Sequence, residues 1–455
     1  MSDEQKTGTR RRLGAFLSEW GWHIALAVLA LTLLVPLIPA RELWEPEELR
    51  YAEIVREMKD FADWMLLRIN GRLYPDKPPV FYWSIATLRE AFGLNVWTVR
   101  LPAVLSGVGC VLLTLELGRR LLGKRAGILG ALVLCATPFF MWSTSEARMD
   151  SMFTFWMLCA ALCCTRWVQS EGESRRAGLG LFAFAALALM TKGPAGLLIP
   201  LAATAAFHLA VKRHRLLARL PWLRGLGVAA AIVLPWLVLT CVLGGLSFAG
   251  DLLFRQNVGR YLSPWIHGEH GLLTYFWQFP AEFLPWSVFI PFLAYHMFSA
   301  QERHRRRGYV FALCWFAAVF LLFTFSRSKR SIYLLPAFPW ACILLGGLLE
   351  YLVADLADGT GALRARIPMG VTCGGAAVFG VGFLAFQPIL EPVIGFRTAP
   401  LAVLAAVAGL ASLLLFVARR LHLSLGLFLL GCFASWLCGT LPVLPAIDEF
   451  KSARP

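Results

Sequence analysis

At 455 residues, 58% of them apolar, with 17 Trp, 33 Phe and a mean hydropathy of +0.64, the chain is too apolar for a string of soluble domains and reads as an integral membrane protein. The net charge of +15 invites a nucleic-acid partner, but the basic residues are spread through short loops between apolar runs, so nucleic acid is set aside and membrane lipids are the expected surroundings. Most of the 11 cysteines, Cys159, Cys163, Cys164, Cys314, Cys342, Cys432 and Cys438 among them, lie inside those runs without the paired spacing of a zinc site; they read as small buried hydrophobes, and no disulfide is assigned.

Residues 1–21 carry Arg10, Arg11 and Arg12 but no small-residue cleavage site, so they are expected as a retained cytoplasmic end. Apolar runs of roughly 17 to 25 residues, with some shorter ones, then predict an all-α polytopic protein. Thirteen transmembrane helices begin near positions 22, 97, 126, 150, 177, 194, 226, 282, 309, 332, 369, 399 and 423, making a membrane domain of residues 22–442 and a periplasmic tail of 443–455. With the N-terminus in the cytoplasm, that side holds the majority of the 43 Lys and Arg residues in short loops with little acid, the positive-inside pattern. The outer face then owns two long loops, about 41–96 and 244–281, and long ordered loops usually carry function. No internal repeat is visible, and the predicted spans are nearly free of charge apart from Glu116 and Glu350 near their ends. Both features disfavour a transporter or lipid flippase, which would place charges or broken helices near the midplane.

The first outer loop opens with LWEPEELRYAEIVREM, Leu43 to Met58. Pro46 fits the first position of a helix, and Glu47 and Glu48 fit its positive end. Glu47, Tyr51, Ile54, Val55 and Met58 fall on one stripe, while Arg50, Glu53, Glu57 and Lys59 point largely elsewhere. The expectation is a short amphipathic helix suited to a membrane surface. Glu48 sits about a quarter turn from the stripe, which leaves Glu47 as the carboxylate aimed at whatever the helix covers and able to act as a base. Further along, NGRLYPDKPPVFYW leads into a second apolar helix that starts at Pro78-Pro79 and runs to Phe92. Asp76 either caps that helix or serves as a metal or hydrogen-bond partner, with Lys77 beside it as a phosphate contact.

The second outer loop is only SEARMDS. Asp150 fits an acidic N-cap, yet Glu146, Arg148 and Asp150 together at the membrane edge are costly unless paired or used. Lys192, in MTKGPAGLLIP, belongs to a tight hairpin and reads either as a snorkelling lysine or as a cation aimed at an anionic headgroup. The fourth outer loop brings Arg255, Arg260, His267, Glu269 and His270 among aromatic residues, where a lone HxxH is a weak metal signal. Finally, FSRSKRSIYLLPAFP puts Arg327, Lys329 and Arg330 on the outer side against the charge trend. A phosphate is a fitting partner for them.

Taken in order, WEPEELRYAEIVREM, LYPDKPPVFYW, ARMDS, TKGPAGLLIP and SKRSIYLLPAFP resemble the motifs of the GT-C membrane glycosyltransferases of the protein O-mannosyltransferase and aminoarabinose transferase type, along nearly the whole chain. The resemblance implies an inverting enzyme that moves a sugar from a polyprenyl (undecaprenyl) phosphate donor to an acceptor at the periplasmic face of a bacterial inner membrane. Lipid A or another glycolipid is the expected acceptor, with protein O-glycosylation as the runner-up. In the family's terms Glu47 and Asp150 are the catalytic carboxylates, and Lys77, Arg260, Lys192, Arg327, Lys329 and Arg330 bind the donor phosphate. Glu48, Arg50, Tyr51, Tyr74 and Arg148 stand in the same motifs as further site residues. Asp76 and His270 match positions that hold a divalent metal, zinc or magnesium, in aminoarabinose transferases. The sequence departs from the pattern in two side chains: Glu47 is one methylene longer than the usual aspartate, and Asp76 one shorter than the usual glutamate. The soluble C-terminal domain of the family is expected to be absent, since IDEFKSARP ends the sequence where it would begin.

Overall fold

The computed structural model describes residues 20–44, 46–252, 271–297, 303–357, 369–378, 399–418 and 420–451, together with 255, 259, 367, 381 and 385. Helix α1 (Trp20–Leu37) leads into α2 (Glu47–Asp60), an antiparallel hairpin of β1 (Arg68–Ile69) and β2 (Arg72–Leu73), and α3 (Val80–Phe92). There follow α4 (Val96–Leu121), the bent pair α5 (Lys124–Cys135) and α6 (Pro138–Ser145), α7 (Met149–Gln169), and the hairpin of α8 (Arg175–Lys192) and α9 (Ala195–Ala210). The chain continues through α10 (His214–Ala218), α11 (Trp222–Gly250), α12 (Thr274–Glu282), α13 (Ile290–Met297) and α14 (Arg306–Thr324). After a 3-10 segment, Ser331–Ala337, come α15 (Phe338–Ala357), α16 (Met369–Val378), α17 (Ala399–Val417) and α18 (Leu421–Lys451).

Among the described residues six helices are long and apolar enough to cross a membrane, or up to seven if the pair α5 and α6, bent by 64°, is one span. The spans predicted near positions 194 and 369 correspond to the shorter apolar helices α9 and α16. Near position 282, α12, a 3-10 turn at Trp286–Phe289 and α13 replace one continuous helix. Pro285, between α12 and the 3-10 turn, lacks the N–H that an uninterrupted i to i−4 ladder requires. At the other end of the chain, α18 continues through Lys451, well into the stretch read as a tail.

Helix α4 packs on both α5 and α7, α7 packs on α8, and α15 packs on α5. The last of these contacts is backbone to backbone: a Cβ on Gly346 would fall 2.2 Å from the carbonyl oxygen of Ala126, and one on Gly130 would fall 2.8 Å from that of Cys342. Small residues permit this approach where lipid supplies no hydrophobic drive for helices to associate.

The opening helix α2 starts as expected, with Glu47 and Glu48 in its first turn. Its Tyr51, Ile54, Val55 and Met58 are buried, but against protein: Phe81, Tyr82 and Ile85 of α3, Val99 and Ala103 of α4, and Met149 and Met152 of α7. Two carboxylates expected off the stripe are also buried. Glu57 points inward to accept hydrogen bonds from the N–H of Gly71 in the hairpin turn, at 3.0 and 3.1 Å. Glu48, not Glu47, is the deeper of the first-turn pair, with 5% of its side chain exposed against 13%.

Candidate active site

Glu48 is buried because its charge is answered from every side. Arg100, fully buried near the start of α4, donates to its two oxygens at 2.9 and 2.8 Å. Arg41 adds a bond of 2.5 Å, and the backbone N–H groups of Trp44 and Ala147 each donate at 2.9 Å. Burial pushes the carboxyl toward its neutral form, but the two arginines win and hold it well below the usual range. Arg100 spends its remaining donors on the carbonyls of Ile38, Arg41 and Glu42. A single carboxylate thus ties the end of α1, the first turn of α2, the start of α4 and the loop before α7. Sequence reading missed Arg41 and Arg100. The signal was there, since Arg100 is a charge in an apolar run read as nearly charge-free.

With Glu48 locked, Glu47 faces the open side. Its Oε1 accepts a hydrogen bond from the Arg330 guanidinium at 2.7 Å, across 283 positions of sequence. Burial raises its pKa, but Arg330, and less strongly Arg148 and Arg50, outweigh it and leave the carboxyl below its ordinary value. Asp150 sits in the first turn of α7, yet the helix has no side-chain cap; the capping role is not what places it. Its partner is Lys192 from the hairpin between α8 and α9. That ammonium is packed over the rings of Tyr333, Phe153 and Phe323, with centroids at 4.5, 5.3 and 5.6 Å. Lys192 is therefore not snorkelling but held against Asp150. Arg148 pairs with Glu146; despite burial, Glu146 first, then the charges of Glu47 and Asp150, hold its proton more tightly than usual. Tyr51, whose hydroxyl is raised by burial and by Asp150, Tyr74 and Glu47, lies among the same groups.

A second arm extends along the first loop. Tyr74 helps hold the Arg50 proton against burial, the Tyr74 hydroxyl donates to Asp76 at 2.7 Å, and the Lys77 ammonium is 4.0 Å from Asp76. Asp76 does not cap α3, which begins at Val80 after Pro79 without a side-chain cap. Among the described residues no group of three His, Cys, Asp or Glu could hold a metal ion. Asp76 alone, already engaged by a hydroxyl and an ammonium, does not make such a site. Arg260 and His270, with His267 and Glu269, lie outside the described residues.

Beside Glu47 and Arg330 opens a cavity of about 460 Å³, lined by Arg148, Lys329 and Arg330, by Glu146, Ser143, Gln278 and Ser331, and by Phe139 and Trp142. Lys329 is buried there, donating to the Ser326 carbonyl, and burial lowers its pKa. Tyr275 fixes the Arg330 backbone, exchanging hydrogen bonds of 3.1 and 3.0 Å with its N–H and carbonyl. Of the three cations in SRSKR, Arg327 is exposed and lines no part of this cavity. Gln278 and Trp142 are wall residues that sequence reading did not find. An arrangement of this kind can hold a phosphate on cations while carboxylates meet a second reactant.

Residues 76–239 match the family model for dolichyl-phosphate-mannose-protein mannosyltransferase. The undecaprenyl phosphate-alpha-4-amino-4-deoxy-L-arabinose arabinosyl transferase of Edwardsiella ictaluri is 31% identical over 74% of this chain and 60% of its own length. The enzyme of the same name from Pseudomonas aeruginosa is 28% identical over 82% of this chain and 66% of its own length. This chain thus spans about three fifths of the curated relatives it matches. The crystal structure of ArnT from Cupriavidus metallidurans bound to undecaprenyl phosphate superposes with a TM-score of 0.76 at 25% identity, covering 95% of this chain and 78% of that one. The arabinosyltransferase EmbB of Mycobacterium smegmatis shares the fold alone, with a TM-score of 0.52 at 15% identity.

Proposed function

This chain belongs to the GT-C membrane glycosyltransferase family of the protein O-mannosyltransferase and ArnT type, and from that premise we propose that it transfers a sugar, with inversion, from a polyprenyl (undecaprenyl) phosphate carrier to a glycolipid acceptor such as lipid A. The observation that supports this most is the Glu47–Arg330 pair at the edge of a cation-lined cavity, with Asp150 and Lys192 beside it through Arg148. As the acceptor oxygen bonds to the anomeric carbon, the carbon–oxygen bond to the carrier phosphate breaks and its electron pair leaves with the phosphate. That phosphate is a stable anion and needs cations, not an acid. Arg330, Lys329 and Arg148 meet it at the cavity, with Lys77, and with Arg260 from outside the described residues. Arg327, exposed, is at most a contact for the approaching headgroup.

Glu47 takes the proton of an acceptor hydroxyl, or orients an acceptor that is already ionised, and Asp150 supports it through Arg148. Arg330 makes this carboxylate a weak base for as long as it holds it. Charge growing on the leaving phosphate draws the same guanidinium away, so Glu47 gains basicity as the bond breaks. The divalent ion implied by the resemblance, zinc or magnesium, would sit at Asp76 and His270, and no step above depends on it. In this reading the site faces the periplasm of a bacterial inner membrane and the N-terminus faces the cytoplasm.

Purified protein incubated with a radiolabelled polyprenyl phosphate sugar is expected to label a glycolipid acceptor. Glu47→Gln should lower the rate by about 10²- to 10⁴-fold at unchanged abundance. Normal turnover in that variant would refute the base role. Labelled peptide in place of lipid would mark a protein O-glycosyltransferase, and uptake without transfer would mark a carrier.

A further inference from the structure

The C-terminal helix touches the site at one polar side chain that the mechanism leaves unused. Asp448, in the last turn of α18, accepts the indole N–H of Trp44 on Oδ1 at 2.9 Å. Both of its oxygens lie 3.1 Å from the backbone nitrogen of Glu42. An acid in the last turn opposes the helix dipole, so Asp448 costs α18 stability where it stands. What it gains is a grip on a residue 404 positions earlier. Trp44, 5% exposed, lies under the Arg41 guanidinium at 4.0 Å and against Trp142, a wall of the cavity, at 6.0 Å. Its N–H donates to Glu48 at 2.9 Å and its carbonyl accepts the Glu48 N–H at 3.2 Å. Asp448 therefore holds the indole while Glu48 holds the backbone, and Glu47 is the neighbour of Glu48.

We propose that Asp448 is a positioning residue for Glu47: through Trp44, the C-terminal helix fixes how the first turn of α2 presents its outer carboxylate to Arg330 and to the cavity. The role rests on the glycosyltransferase reading above, while the contact itself does not. Charge-assisted bonds of this length hold a group within the tolerance that a reacting pair demands.

Asp448→Ala, Asp448→Asn and Trp44→Phe in the full chain test it. Asp448→Ala should lower kcat roughly 10- to 100-fold, with the donor KM within about twofold. Asn, which keeps Oδ1 as an acceptor, should recover most of that loss. Trp44→Phe, which keeps the ring and removes the N–H, should fall between, and the double variant should be no worse than Asp448→Ala. Hydrogen exchange in peptides covering residues 41–50 should quicken in Asp448→Ala while the rest of the protein is unaltered. An unchanged kcat, a loss carried by KM, multiplying defects in the double variant, or unchanged exchange would each overturn the proposal. If the parent protein transfers no sugar, the enzymatic reading falls, and the exchange comparison alone decides whether Asp448 orders the segment.

Discussion

The two adjacent carboxylates of α2 divide the work between them, and their environments say how. Glu48 is satisfied by two arginines and two backbone donors, whereas Glu47, among the described residues, accepts a hydrogen bond on one oxygen from a half-exposed arginine. Because the folded pKa of Glu47 is depressed, its pairing stabilises the protein above the ordinary carboxylate value of 4.5 and that contribution is lost as pH falls through the lowered value. The acidic limb of the pH–rate profile should follow the same group. Arg330→Gln removes the largest effect opposing burial, so Glu47 should titrate higher and the limb should move to higher pH, on top of a fall in kcat; a limb that stays in place would exclude Glu47 as the group being titrated. Glu48 behaves differently. Arg100→Met leaves the buried Glu48 carboxylate with Arg41 as its one arginine and should lower thermal stability in detergent, at most by the ~3–5 kcal/mol of a fully broken buried pair. Sequence reading singled out Glu47 and Asp150 because their spacing and the family motifs are local. It put Glu48 a quarter turn off the buried stripe because the partners that bury it, Arg41 and Arg100, are distant in sequence and meet it only in the folded chain.

Elements were legible where one signal dominates. The apolar stripe of α2, the proline start of α3 and the helix break at Gly193 and Pro194 are each written in a few consecutive residues. The segment near 282 was not, since an apolar run looks the same whether it is one helix or several pieces separated by proline. Helix contacts through glycine also escape a single sequence, because nothing local says which glycine faces a neighbour. Here Gly346 of α15 faces the carbonyl of Ala126 on α5 so closely that Gly346→Leu should force the two helices apart. Loss of monodisperse protein in detergent is expected from that variant, while Gly374→Ala on α16, where a Cβ meets nothing within 4 Å, should be tolerated. Equal yields from both would mean that the α5 and α15 contact contributes little to the fold.

Among the described residues, ion pairs gather at both ends of the helices. Helix α4 carries Arg100 at the candidate site and Arg119 and Arg120 at its far end, and at ~1.5 Å per residue its 26 residues exceed the ~30 Å of a hydrocarbon core. The far end is where the basic pairs gather: Arg119 and Arg120 with Glu116 at 2.7 and 2.5 Å, Arg213 with Glu171 at 2.8 Å, and Arg305 with Glu350 at 2.7 Å. Arginine-rich ends of this kind favour the cytoplasm, so the proposed orientation puts the Glu47 end outside. In a background lacking the native cysteines, Arg72→Cys on the exposed hairpin strand β2 should react with a membrane-impermeant maleimide in intact spheroplasts. Arg215→Cys, exposed on α10, should react only after the membrane is opened. The opposite labelling would turn the protein over and put the phosphate-handling cavity in the cytoplasm, where a periplasmic acceptor could not reach it.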